Sequence, residues 1–123
     1  MGRVAERLAV EDLAGRGYAI IDRNVRVAGV RGEIDIIARD GRALVFVEVK
    51  AASSAARRGP ESPVLAVDRR KRMKLRSLAA AWLAAQEGDG RHHGTTSLRF
   101  DVIGVTLDPH DCVVDWRHVV AAF

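Results

Sequence analysis

The sequence predicts an α/β fold in one domain: a mixed β-sheet with helices packed on it, in the order α-β-β-β-α-β-β. Three observations carry this expectation. Residues 3–14 and 69–86 repeat apolar side chains at helical spacing, and five other segments alternate or run apolar at strand length. Asp40-Gly41 stands between two of the alternating runs, a short-range signal for a tight hairpin. A chain of 123 residues buries about two thirds of its unfolded surface without staples, so residues 1–123 read as a single domain.

Composition narrows the class. With 48% hydrophobic and 29% charged residues the chain reads as globular rather than as a disordered tail. Its one cysteine, Cys112, cannot close an internal disulfide and fits no zinc-ligand spacing, so a reducing, cytoplasmic setting is expected. Residues 1–7 open directly into charged helix rather than a signal-peptide core, and no apolar run is long enough to span a bilayer. No membrane partner is expected.

Taken in order, residues 3–14 form a helix ended by Gly15 and Gly17. Glu6, Ala9, Val10 and Leu13 share one of its faces, leaving Glu6 either an inward-facing acid or a member of a surface ion-pair lattice with Arg3 and Arg7. Strands follow at 18–27, 31–39 and 42–50. Residues 51–63, rich in small residues with Gly59 and two prolines, read as a loop bordering whatever lies at Lys50. Asp68 is the expected N-cap of a helix to residue 86 whose Leu75, Leu78, Ala79 and Trp82 face the core. Met73 and Trp82 are expected to pack inside. Lys71, one turn before Leu75, points toward the sheet, while Arg70, Arg72 and Lys74 fan outward. The connection at 87–97 carries His92-His93, adjacent residues that share neither a helix face nor a strand face and are not expected to bind metal. Strands at 98–107 and 112–116 complete the chain. Asp101, between Phe100 and Val102, is either a solvent-face residue or a contact behind the site.

The chemistry concentrates in the hairpin. Glu33 and Asp35 on one strand, and Glu48 and Lys50 on the next, are ionisable groups set within β-branched apolar runs, where burial of charge requires a compensating partner. Alternation puts all four on one face. If Asp40 and Gly41 form the two-residue loop, Glu33 pairs with Glu48 and Asp35 with Phe46, setting Asp35 diagonally from Glu48. One lysine cannot neutralise three carboxylates. Either a hard divalent cation supplies the missing charge, Mg²⁺ or Mn²⁺ suiting an oxygen-only set, or the acids form a solvated ladder or neutralise by protonation. In the metal reading Asp35, Glu48 and the Val49 carbonyl are ligands. Lys50 positions the attacking water, and Glu33 and Glu6 serve a second ion or the hydration shell.

Net charge is only +4, but eight of the 20 Lys and Arg residues fall between Arg57 and Arg76 against two acids, Glu61 and Asp68. This segment (Arg57, Arg58, Arg69, Arg70, Lys71, Arg72, Lys74 and Arg76) has the footprint of a polyanion-binding face; a solvated helix end is the plainer alternative. An acidic constellation beside it is what a metal-dependent enzyme acting on a phosphate backbone needs.

The spacing Asp35 … Glu48-x-Lys50 on a hairpin, after a helix carrying Glu6, resembles the PD-(D/E)xK nuclease superfamily. More closely, Gly32-Glu33-Ile34-Asp35, Phe46-Val47-Glu48-Val49-Lys50, Val67 with Lys71, Arg99-Phe100-Asp101-Val102 and Ala122-Phe123 resemble the YraN-like family of small bacterial proteins over nearly the whole chain. The resemblance implies a restriction-endonuclease-like fold with Asp35, Glu48 and Lys50 as catalytic core. Glu6 then corresponds to the helix acid of archaeal Holliday-junction resolvases. Ile34 stands where the superfamily name has proline. Ala52 stands where relatives often carry a basic residue, so that phosphate contact is absent or moved to Arg57 or Arg58.

The expected function is a Mg²⁺-dependent DNA endonuclease, with branched or recombination intermediates among its substrates. The rival is a non-catalytic nucleic-acid-binding module acting in a DNA repair or processing complex. Because no residue visibly reads a 2′-hydroxyl, RNA stays open as a substrate. A symmetric junction requires two active sites and hence a homodimer.

Overall fold

The computed structural model describes residues 2–55, 67–88 and 97–123. Arg57, Arg58 and the His92-His93 pair lie outside the described residues. The elements are α1 (Gly2–Gly15), β1 (Ala19–Val27), β2 (Val30–Asp40), β3 (Ala43–Ser53), α2 (Arg69–Gly88), β4 (Ser97–Leu107) and β5 (Val113–Val119), in the predicted order. The sheet runs β1-β2-β3-β4-β5, antiparallel throughout except where β3 lies parallel to β4 across the connection that contains α2. Among the described residues no helix is long and apolar enough to cross a membrane.

Each face of the sheet carries its own core. On one, Ala5, Ala9 and Leu13 of α1 pack on Ile36, Val45, Val47, Ile103 and Val105. On the other, Leu75, Leu78, Ala79 and Trp82 of α2 pack on Ile37, Leu44, Phe46 and Val102, with Trp82 edge-on to Phe46. β3 is buried on both sides, which is why it reads as a nearly continuous apolar run. Asp68 caps α2 as expected, its Oδ1 accepting the Lys71 amide proton at 2.9 Å. Met73 does not join the core. It is 60% exposed, because two positions before Leu75 falls on the opposite side of a helix.

Two expectations about strand ends are corrected. The loop expected from Ala51 starts later: β3 continues to Ser53, held by parallel pairing of Ala51, Ala52 and Ser53 with Val105, Thr106 and Leu107. The hairpin turn is shifted by one residue. Asp40 pairs with Ala43, so the loop is Gly41-Arg42, and only Gly41 has positive φ (+59), at the first central position as a type II′ turn requires. Asp40 instead receives Arg99 Nη1 at 2.9 Å. Carried past its last pair, Ile36 with Val47, the shifted register would set Asp35 rather than Glu33 opposite Glu48.

Asp101 is neither on the solvent face nor behind the acidic site. It is fully buried and accepts from Arg99 Nε (2.9 Å) and Nη2 (3.0 Å), His118 Nε2 (2.8 Å) and the Ala121 amide (3.0 Å). On its other side His118 presents Nδ1 to Arg16 Nη2 at 2.7 Å. Burial alone would raise the Asp101 pKa; the hydrogen bonds from His118, Arg99 and Ala121 outweigh it and hold the carboxyl below its ordinary value. The C-terminus docks beside this network, with Phe123 stacked on Phe100 and the Ala122 amide on the Phe100 carbonyl. Asp101→Ala leaves Arg99 with Asp40 and Tyr18 but removes the acceptor shared by His118 and the Ala121 amide, and should cost about 2–3 kcal/mol, read as a lower urea midpoint at pH 7. Because the folded carboxyl is depressed, the wild-type contribution is complete above the unfolded carboxylate range near pH 4 and is lost as pH falls through the folded value.

Candidate metal centre

The β2–β3 ladder stops at Ile36↔Val47, and the break is the origin of the site. Val49, two residues on, gives its amide proton not to a β2 carbonyl but to Asp35 Oδ2 at 2.8 Å. A strand amide points toward the neighbouring strand, so the Asp35 carboxylate lies in the gap between the two strands rather than on either face. The pleat of β2 reverses there. Ile34 and Ile37 both pack on the α2 side whereas Ile36 packs on the α1 side, which strict alternation forbids.

That reversal corrects the expected grouping. Glu33 does not share a face with Glu48 and Lys50; it turns to α1, where carboxylate oxygens of Glu6, Glu33 and Asp35 lie within 4.8 Å of one another. Glu6 is therefore the inward-facing acid of the two alternatives. It borders an open hollow of about 430 Å³ lined by Gly2, Arg3, Glu6, Asn24 and Glu33. Asn24 was missed in sequence. It sits at φ +52, a conformation Asn tolerates, and with its amide oriented to donate, Nδ2 lies 2.8 Å from Glu6 Oε2 and 3.0 Å from Glu33 Oε1. An Asn within a strand-like run, where Asn is disfavoured, is the signal that could have found it.

On the α2 side Glu48 is buried and faces two ammonium groups, Lys50 Nζ at 3.8 Å and Lys71 Nζ at 3.7 Å, both nearest Oε1. Lys71 thus points to the sheet as expected, and it belongs to this site rather than to an outer basic face. Glu48 Oε2 is buried and receives no hydrogen bond among the described residues. Gly32 admits α2 at this end: its φ is +107, and an added Cβ would stand 2.9 Å from Lys74 Cε.

Electrostatics follow from this geometry. Burial and then the neighbouring Glu48 push Asp35 up to about 7, against the Val49 amide and Lys71. Burial also raises Glu48, although Lys71 and Lys50 oppose it, and burial followed by Asp35 and Glu33 raises Glu6. A donorless buried oxygen on Glu48, an Asp whose charge is under-compensated, and an all-oxygen donor set fit a hard divalent cation.

Of the basic residues, Arg69 and Arg70 are exposed on the first turn of α2 and Lys74 is exposed beside Gly32. Arg72 does not fan outward. Its Nε donates to the Val67 carbonyl at 2.8 Å, and its guanidinium covers the Phe123 ring at 5.6 Å.

A family model described as "Uncharacterised protein family UPF0102" matches residues 5–105. Proteins of that description are similar along nearly the whole chain. One from Moorella thermoacetica is 40% identical over 99% of this chain and 93% of its own length. One from Streptomyces griseus is 46% identical over 87% and 82%, and one from Dictyoglomus thermophilum 30% identical over 100% and 96%.

An Asp with folded pKa near 7 holds a proton between about pH 4 and 7 that the unfolded chain has already lost, so it lowers stability as pH rises through that window. In buffer free of divalent cations, Asp35→Asn should flatten this slope and leave the variant more stable than wild type at pH 8, measured by thermal unfolding across pH. An unchanged slope would contradict the assignment.

Proposed function

Since this chain belongs to the uncharacterised protein family UPF0102, the reaction has to be argued from the site, and we propose that it is a Mg²⁺- or Mn²⁺-dependent endonuclease hydrolysing DNA phosphodiester bonds. Branched or recombination intermediates are the substrates to which the resemblance points. The observation that carries the reading is the strand gap: Asp35 pinned there by the Val49 amide, one residue along β3 from a Glu48 that keeps one buried oxygen without a donor among the described residues.

Asp35 and Glu48 Oε2 would hold the cation, with the Val49 carbonyl as a third oxygen, since the amide and carbonyl of a strand residue face the same neighbour. Such an ion supplies Lewis-acid polarisation of the phosphate and a more acidic water. The residues do the rest. Lys50 orients the water and offsets charge that develops on the phosphoryl oxygens, a role for which an ammonium of adjustable pKa is suited. Lys71 holds Glu48 Oε1 from α2 and so keeps the carboxylate turned one way. Glu6 and Glu33, fixed by Asn24, accept hydrogen bonds from water on the α1 side. Exposed Arg69, Arg70 and Lys74 offer phosphate contacts at the same end of α2.

Incubation with labelled four-way junctions, duplex and single strands should give cleavage with Mg²⁺ or Mn²⁺ and none with chelator. Glu48→Ala and Lys50→Ala should each lower the rate about 100-fold or more while retaining the wild-type circular dichroism spectrum. Absence of cleavage on every substrate, or equal cleavage by Glu48→Ala, rules the proposal out.

A further inference from the structure

The two edges of the sheet are built differently. β1 breaks register twice along its length, between Ile20 and Asp22 and between Val25 and Val27, contains Asn24 in the left-handed region and carries Asp22, Arg23 and Arg26, all devices that discourage edge-to-edge pairing. β5 has a single irregularity, at its start, and then runs unbroken from Asp115 to Val119 against Thr106 to Val102. No described element lies beyond it. Val113 (44% exposed) and Val114 (53%) at its start and Val120 (51%) just past its end are three of the five large apolar residues exposed among the described residues. A long edge of this kind presents unpaired backbone groups beside apolar side chains and calls for a partner strand.

The sequence of β5 says which partner. Antiparallel pairing of two identical strands places a dyad normal to the sheet and keeps each face in register with itself, so only same-parity residues can stand opposite. Centred on Trp116, the register sets Asp115 of each copy opposite Arg117 of the other and brings the valines that open one strand toward those that close its mate. Moving the centre by one residue sets Asp115 against Asp115, or Arg117 against Arg117, and like charges directly opposed are unfavourable. Within one copy Arg117 Nε is only 3.4 Å from Asp115 Oδ2, so both charges already stand on one face at the edge.

We propose that β5 is the interface for a second copy of this chain, paired antiparallel about Trp116 so that one sheet continues through both copies. The dyad, being normal to the sheet, leaves α2 and the acidic site of each copy on the same face of the dimer. The inference is independent of the nuclease reading, because its test reads mass and not cleavage.

Sedimentation equilibrium should find wild type dimeric at micromolar concentration. Asp115→Arg opposes four arginines and Arg117→Asp opposes four aspartates, so each variant alone should dissociate at least about tenfold more readily, with a wild-type far-ultraviolet circular dichroism spectrum. Mixed in equal amounts, the two variants restore opposite charges at both ends of the pairing and should again form dimers. Monomeric wild type, a variant that dimerises as wild type does, or a mixture that stays monomeric overturns the proposal. Val114→Lys supplies a second route to monomer if either charge variant fails to fold.

Discussion

One missing piece of backbone pairing organises this protein. The β2–β3 ladder ends at Ile36, and the next free amide on β3, that of Val49, is taken by the Asp35 carboxylate. A side chain that replaces a main-chain acceptor has to lie in the sheet plane, and the pleat reverses to let it. Everything distinctive follows from that reversal: Glu33 swings to Glu6 and Asn24 on one side, Glu48 stays with Lys50 and Lys71 on the other, and Asp35 touches both environments. A regular ladder would have left four ionisable groups on one face with nothing between them.

The molecule contains a useful internal contrast between Asp101, fully buried on β4, and the half-buried Asp35 of β2. Asp101 has every lone pair engaged by cationic or strong donors, and its pKa falls below the ordinary value. Asp35 has one amide and a carboxylate neighbour, and its pKa rises to about 7. Asp101 is the more completely buried of the two, so burial alone does not explain why its pKa is the lower one; compensation does. A carboxylate that the protein satisfies completely has no capacity left for a ligand, whereas one left short of positive charge is poised to take it from outside. Asp101 is structural on this criterion, and Asp35 with Glu48 is the pair worth assigning chemistry.

The helices act as opposite walls of the same site. α1 brings Glu6 through the periodicity that buries Ala5, Ala9 and Leu13, and α2 brings Lys71 through the periodicity that buries Leu75 and Leu78. Each of these two side chains lies at the margin of an apolar stripe, so packing energy sets its position. α2 runs so close to β2 that the stem of Lys74 lies against Gly32.

Much of this was legible before any coordinates. Element order, the capping Asp68, the α2 face and the candidacy of Glu6, Asp35, Glu48, Lys50 and Lys71 come from periodicity and from the cost of charge in apolar runs, both of which are local properties of the chain. Other features were not. The face taken by Glu33, the folding-back of Arg72 onto Phe123 and the burial of Asp101 depend on partners 14 or more residues away, such as Val49 for Asp35 and His118 for Asp101, while the one-residue shift at Gly41 and the exposure of Met73 are local. The sequence by itself determined which residues would carry charge into a core. Only tertiary structure decided how each charge would be met, because that depends on where a ladder stops and which donor stands across the gap.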